Sequence, residues 1–185
     1  MTNDRLIPYQ PIDLAEPADL VAEIRKRRGG QLINLDRMLL HSEPVARGWN
    51  HFIGNVRQQL SLDPKLRELG MCGVAVLNGA EYEFFHHAPP FLKAGGTQAQ
   101  VDAMRHLGGS NFDPTPFSSL EQDTLELTLQ MTRAIQVDPA LMKRLQEVLG
   151  NTALVELVTV IAAYNMVSRF LIALDIHPED QAPKA

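Results

Sequence analysis

The feature that most limits how this chain can fold lies near its C-terminal end, where Ala153 to about Leu174 is apolar nearly all round at helical spacing. A helix with one polar face can lie on a surface, whereas a helix without one has to be covered. The segment therefore predicts a buried helix, at the centre of a helical fold or at a subunit interface. Its most apolar stretch, Ala153 to Val167, carries Glu156 and falls short of the roughly twenty apolar residues needed to cross a bilayer. A core helix is expected and a membrane partner is not.

The rest of the chain reads as helices too, which predicts an all-α single domain over residues 1–185. Pro17 to Arg28 carries Leu20, Val21 and Ile24 on one face and stops at Gly29-Gly30, matching the preference for Pro near a helix start and Gly past its end. A short helix follows near Leu35 to His41. Ser42 is placed to cap the next, with Val45, Trp49, Phe52, Ile53, Val56 and Leu60 as its core stripe. Asp63-Pro64 opens a helix that runs to Asn78-Gly79. Ala80 to His87 starts another, and Pro89-Pro90 predicts a kink or break just beyond it, because two donors are lost opposite the carbonyls of Phe85 and His86. Thr97 with Gln100 and Ser118 with Glu121 are capping-box patterns. The second opens a helix with Leu120, Thr124, Leu127, Met131 and Ile135 on one face. Asp138-Pro139 starts a helix ending at Gly150, Asn151 can cap the long last helix, and residues 178–185 read as a solvated tail.

Charge and cysteine content narrow the function. Acidic residues outnumber basic ones, 22 to 17, for a formal charge of −5. Arg25 to Arg28 is the one basic run, and its place in the last turn of a helix suits the helix dipole; nucleic acid is not an expected partner. The first eight residues show no apolar region followed by a small-residue cleavage site, so a cytoplasmic location is expected. Cys72 is the single cysteine. No intrachain disulfide or zinc–cysteine cluster can form, and a lone cysteine among apolar neighbours reads as a core residue.

The chemistry-bearing residues gather around Gly79. Glu68 lies twelve residues before Ala80, fifteen before Glu83 and nineteen before His87, and a turn at Gly79 would set these positions alongside one another on two antiparallel helices. Glu83 and His87 share a helix face at i,i+4. A carboxylate beside an imidazole raises its pKa and burial lowers it, so the cluster suits proton transfer near neutral pH or, alternatively, a satisfied polar contact between helices. His86, adjacent to His87, points about 100° away on a helix, and no metal site is expected.

This spacing resembles that of the carboxymuconolactone decarboxylase and alkylhydroperoxidase D family, whose peroxidase branch has a helical glutamate, a Cys-x-x-Cys pair and a histidine four residues after the second cysteine. Here Glu68 and His87 match, while Ala80 and Glu83 occupy the cysteine positions. Tyr82-Glu83-Phe84, Ala94-Gly95, Val155-Glu156-Leu157 and Tyr164-Asn165 also look like the family, and the resemblance spans about Leu35 to Ile176. It implies an alkylhydroperoxidase D-like helical bundle that assembles as a homo-oligomer, a trimer or hexamer. A disulfide relay needs one thiolate to attack and another to resolve, and neither Ala80 nor Glu83 can do this. The decarboxylase branch instead has a glutamate followed four residues later by histidine. The resemblance then implies cofactor-free decarboxylation of a small carboxylated lactone or related aromatic-catabolism intermediate. His87 would be the proton donor, Glu83 would orient it, and Glu68 would support it. Tyr82 and Arg169 are the candidate substrate-binding residues, Arg169 being alternatively an ion-pair partner of Glu156 or of a neighbouring subunit. Two other readings use the same residues: a peroxidase-related antioxidant protein relying on Cys72 or a partner thiol, and a non-catalytic small-acid-binding member of the fold.

Overall fold

The computed structural model describes residues 6–179, and among them there is helix and no strand. The elements are α1 (Ala18–Arg28), α2 (Asn34–Leu39), α3 (Glu43–Gln58), α4 (Pro64–Asn78), α5 (Glu81–Lys93), α6 (Gln98–Met104), α7 (Ser119–Arg133) and α8 (Pro139–Ala173). α4 is the hub and packs against α5, α7 and α8. Its start is fixed by Asp63, whose carboxylate accepts from the Lys65 and Leu66 backbone N–H groups, two donors that a helix start otherwise leaves unpaired. From Leu69 to Leu77 α4 carries no polar side chain, and Leu69, Met71, Cys72 and Val74 are fully buried.

The α4–α5 hairpin depends on Gly79, which closes α4 at φ 67°. That left-handed conformation costs an L side chain energy and costs glycine little. α8 is two helical segments meeting at Gly150, where φ 73° and ψ 174° leave the helical region. The second segment carries the all-round apolar sequence, and Leu157, Val160, Ile161, Tyr164 and Val167 are buried within this one chain. By length and composition α8 is the one helix among the described residues that could cross a membrane; here it is broken at Gly150 and packs on α4 and α7.

Ser42 precedes α3 as expected, but its side chain makes no capping hydrogen bond, and four further expectations differ from what is observed. α5 runs unbroken through Pro89 and Pro90: Phe91 just beyond them is fully buried, and its carbonyl accepts from Gly96 N–H, so tertiary packing holds the last turn despite two missing bonds. On α3, Val45 and Phe52 are exposed, while Ala46, Asn50, Ile53 and Val56 face inward. The face is rotated because Asn50 belongs inside, where it accepts from Arg27 and donates to Glu23. Ile135 lies beyond the end of α7 in left-handed backbone, 85% exposed, and joins no core face. Pro178 and Glu179 are half-buried, and Glu179 is clasped onto α2 and α5. The rest of the expected tail, 180–185, lies outside the described residues.

Candidate functional site

The turn at Gly79 brings Glu68 of α4 beside His87 of α5, two residues nineteen apart in sequence. His87 Nδ1 donates to Glu68 Oε2 at 2.7 Å, both side chains being buried, and Arg67 pairs with the other carboxylate oxygen at 3.3 Å. Burial pushes Glu68 toward the neutral form, but the His87 hydrogen bond and the positive charges of Arg67 and Arg57 outweigh it and hold the carboxyl below its ordinary range. Burial dominates at His87 and pulls it down to about 4 against the pull of Glu68. The imidazole is therefore neutral near pH 7. An ionised carboxylate only accepts, which places the ring proton on Nδ1 and leaves Nε2 as an unprotonated base. Nε2 has no hydrogen-bond partner among the described residues, and the ring lines a cavity.

Glu83 occupies a different setting, one turn back on α5. Burial raises its pKa well above the ordinary value, opposed only in part by a hydrogen bond with Ser168 of α8. The bonding pattern points the same way. Ser168 Oγ lies 2.9 Å from Glu83 Oε2 and 2.9 Å from the Tyr164 carbonyl oxygen. A hydroxyl has one hydrogen, and the carbonyl can only accept. With Glu83 protonated on Oε2, the carboxyl donates to Ser168 and Ser168 donates to Tyr164, and both contacts are satisfied. Glu83 Oε1 is then a carbonyl-type oxygen, buried and without a partner.

The cavity beside these groups measures about 30 Å³ and lies between α1, α3, α5 and α8. Besides Glu83 and His87 its wall includes Tyr82, Tyr164, Trp49 and the cations Arg27, Arg28 and Arg57. The Tyr164 ring meets His87 edge-on at 4.8 Å, and Trp49 stacks obliquely on Phe170. Two residues of this wall, Tyr82 and His86, are tied to Glu179. Its carboxylate accepts from the Asn34 backbone N–H at 2.8 Å, Tyr82 Oη at 3.0 Å and His86 Nε2 at 3.0 Å.

Four of the five sequence-derived site residues, Glu68, Glu83, His87 and Tyr82, come together here, with altered roles. Glu68, not Glu83, orients His87; Glu83 turns to Ser168 instead. Arg169 is not part of the cavity. It is exposed and holds its own helix, donating to the Asn165 carbonyl and side chain four residues back. It does not pair with Glu156 either, which receives Ser61 N, Ser61 Oγ and Leu62 N. His86 and His87 diverge toward Glu179 and Glu68, and no metal-binding cluster occurs among the described residues. Sequence reading missed Arg57 and the roles of Tyr164 and Ser168. The signal for the latter pair was available: two hydroxyl-bearing residues four apart on the largely apolar second segment of α8 share a face. Arg57 gave no such signal beyond following Ile53 by one turn.

Cys72 lies one turn after Glu68 and is fully buried. Burial, then the charges of Glu68 and Glu83, push its thiol up, far from the thiolate form. Reactivity requires a thiolate and access. The folded protein is accordingly expected not to react with Ellman's reagent and to show no dithiol-dependent peroxide consumption; steady consumption that survives Cys72→Ala would contradict this.

Residues 43–115, from α3 through the loop after α6, match the model of the carboxymuconolactone decarboxylase family. No curated protein matches the chain. Solved structures do: a peroxidase-related protein from Silicibacter sp. TM1040 is 16% identical with TM-score 0.79, covering 97% of this chain and 96% of its own. A peroxidase-related protein from Ralstonia eutropha JMP134, described as an alkylhydroperoxidase AhpD core, is 17% identical with TM-score 0.74, covering 93% and 92%. A variant of the debrominase Bmp8 in complex with 2,3,4-tribromopyrrole is 16% identical with TM-score 0.72, covering 96% and 95%. At such identity the likeness establishes the fold, an alkylhydroperoxidase D-like all-α bundle.

Proposed function

We propose that this chain, whose residues 43–115 match the model of the carboxymuconolactone decarboxylase family, is a cofactor-free carboxy-lyase acting on a small carboxylated lactone or a related conjugated acid. The observation that carries this reading is the Glu68–His87 pair, with Nδ1 tied to the carboxylate at 2.7 Å and Nε2 left free on a cavity wall. Such a pair moves one proton at one atom, and that is what this decarboxylation needs from a protein. The bond from the ring carbon to its carboxylate breaks, carbon dioxide leaves, and the electron pair passes into the conjugated carbonyl as a dienolate. One proton then adds to carbon. Nε2 takes that proton from solvent and delivers it, while Glu68 stabilises the imidazolium as it forms. Negative charge developing on the dienolate beside Nε2 favours the protonated ring when the proton is required. A neutral Glu83 leaves that charge unopposed, where an ionised carboxylate would repel it.

A cavity of about 30 Å³ holds about one water molecule. Entry of a lactone therefore requires part of the wall to yield, and the wall residues Tyr82 and His86 are held by polar contacts with Glu179 rather than by packed core alone.

The test is turnover in deuterium oxide with carboxylated unsaturated lactones. The expected result is release of carbon dioxide with one deuterium placed on carbon in each product molecule. Absence of release across a panel of such lactones, or product without deuterium, overturns the reading.

A further inference from the structure

In a chain of net charge −5, the cavity wall carries three arginines and is short of anions to match them. Arg28 forks onto Asp36 at 3.0 and 3.2 Å. Arg27 donates to Asn50 Oδ1 at 2.8 Å and reaches the same Asp36 at 3.4 Å, so one carboxylate serves two guanidinium groups. Glu83 is engaged with Ser168, and Glu179 is engaged with Asn34, Tyr82 and His86. The crowding is visible at Arg27, which burial, then Arg28 and, after Asp36, Arg57 act on, leaving it at about 10. The Arg57 side chain makes no hydrogen bond or ion pair among the described residues. It lies close enough to His87, Glu68 and Tyr164 to shift all three.

From this geometry we infer that Arg57 is the specificity-determining residue of the cavity and anchors a carboxylate of an organic anion there. Arg27 and Arg28 are already committed, so Arg57 is the wall cation with its planar pair of donors free for bidentate contact. The inference rests on the proposed lyase reading for its chemistry but not for its charge. A guanidinium held on the departing carboxylate would stabilise the ground state more than the transition state, because charge leaves that group as the bond breaks. Arg57 therefore holds a charge that stays on the molecule, and its loss should raise KM more than it lowers kcat.

The test uses furan-2-carboxylate and furan-2-carboxamide, two planar rings of nearly equal shape that differ in charge, titrated calorimetrically into the full chain at pH 7. The carboxylate is expected to bind at least about tenfold more tightly than the amide, and Arg57→Met to weaken it about 10- to 100-fold while leaving the amide unchanged, as befits one charge-assisted contact. Arg57→Lys should keep part of the preference. Equal binding of acid and amide by the unaltered protein overturns the inference without any variant, as does failure of the acid to bind, or undiminished binding to Arg57→Met. If the acid–amide preference is present but lactones are not decarboxylated, the anion site stands and the lyase reading falls. If decarboxylation proceeds and Arg57→Met leaves KM unchanged, the reverse holds.

Discussion

His87→Gln is expected to lower kcat by about 10²- to 10⁴-fold, the usual worth of a positioned general acid–base group, while the helical circular dichroism and the oligomeric state stay as they are. Glutamine cannot carry the proton at either position, and a His87→Asn control, whose amide nitrogen lies where Nδ1 does, can still donate to Glu68 and keep the α4–α5 contact while the atom that takes and gives the proton is removed. Glu68→Gln should be milder, about tenfold or somewhat more: it keeps an acceptor for Nδ1 but loses the charge that stabilises the imidazolium. The ranking separates a proton carrier from a residue that positions it. Unchanged kcat in His87→Gln would mean that another group on the wall, Glu83 first, delivers the proton.

The parts of this site that were legible in the sequence are those held by one local device. Gly79 reverses the chain between two helices, so the offset of nineteen residues between Glu68 and His87 translates directly into contact. The residues that escaped come from elsewhere: Arg57 from α3, Tyr164 and Ser168 from α8, each meeting the hairpin only through tertiary packing. The assignment of Glu83 as the orienting carboxylate failed for a related reason. It is i,i+4 to His87, but Ser168, 85 residues away, offers the hydroxyl that its protonated carboxyl takes, while Glu68 faces the imidazole across the hairpin. The fold was legible to a similar depth. The capping boxes at Thr97 and Ser118 are encoded within three residues and appear as expected, whereas Ser42 starts α3 without a side-chain cap bond. The rotation of α3 is not local: a polar Asn50 faces inward to meet Arg27 and Glu23 of α1, and no periodicity within α3 records those partners.

Glu83→Gln is expected to make the protein more stable at neutral and alkaline pH and to change the shape of its stability profile, because Glu83 and His87 pull that profile in opposite directions. In the folded state Glu83 keeps its proton, whereas the unfolded chain loses it above the ordinary value of 4.5. The unfolded state then binds fewer protons, and stability falls by about 1.4 kcal/mol per pH unit until Glu83 itself ionises in the fold. His87 acts conversely. It is neutral when folded and takes a proton when unfolded below 6.5, so stability falls as pH drops from 6.5 to about 4, a loss of about 3 kcal/mol over that span. Between about 4.5 and 6.5 the two slopes are equal and opposite, and these groups together give a flat profile; above 6.5 only the Glu83 slope remains. Glutamine at position 83 is nearly isosteric and cannot ionise, and its amide can still donate to Ser168. Urea unfolding of Glu83→Gln should therefore show stability rising from pH 4.5 to 6.5 and level above it, with its advantage over the unaltered protein growing by about 1.4 kcal/mol for each pH unit while Glu83 stays protonated. His87→Gln should uncover the other slope, falling from pH 4.5 upward. Parallel profiles for Glu83→Gln and the unaltered protein would mean that Glu83 is ionised in the fold, that Ser168 donates to it, and that the cavity wall beside His87 carries a negative charge that would repel the dienolate.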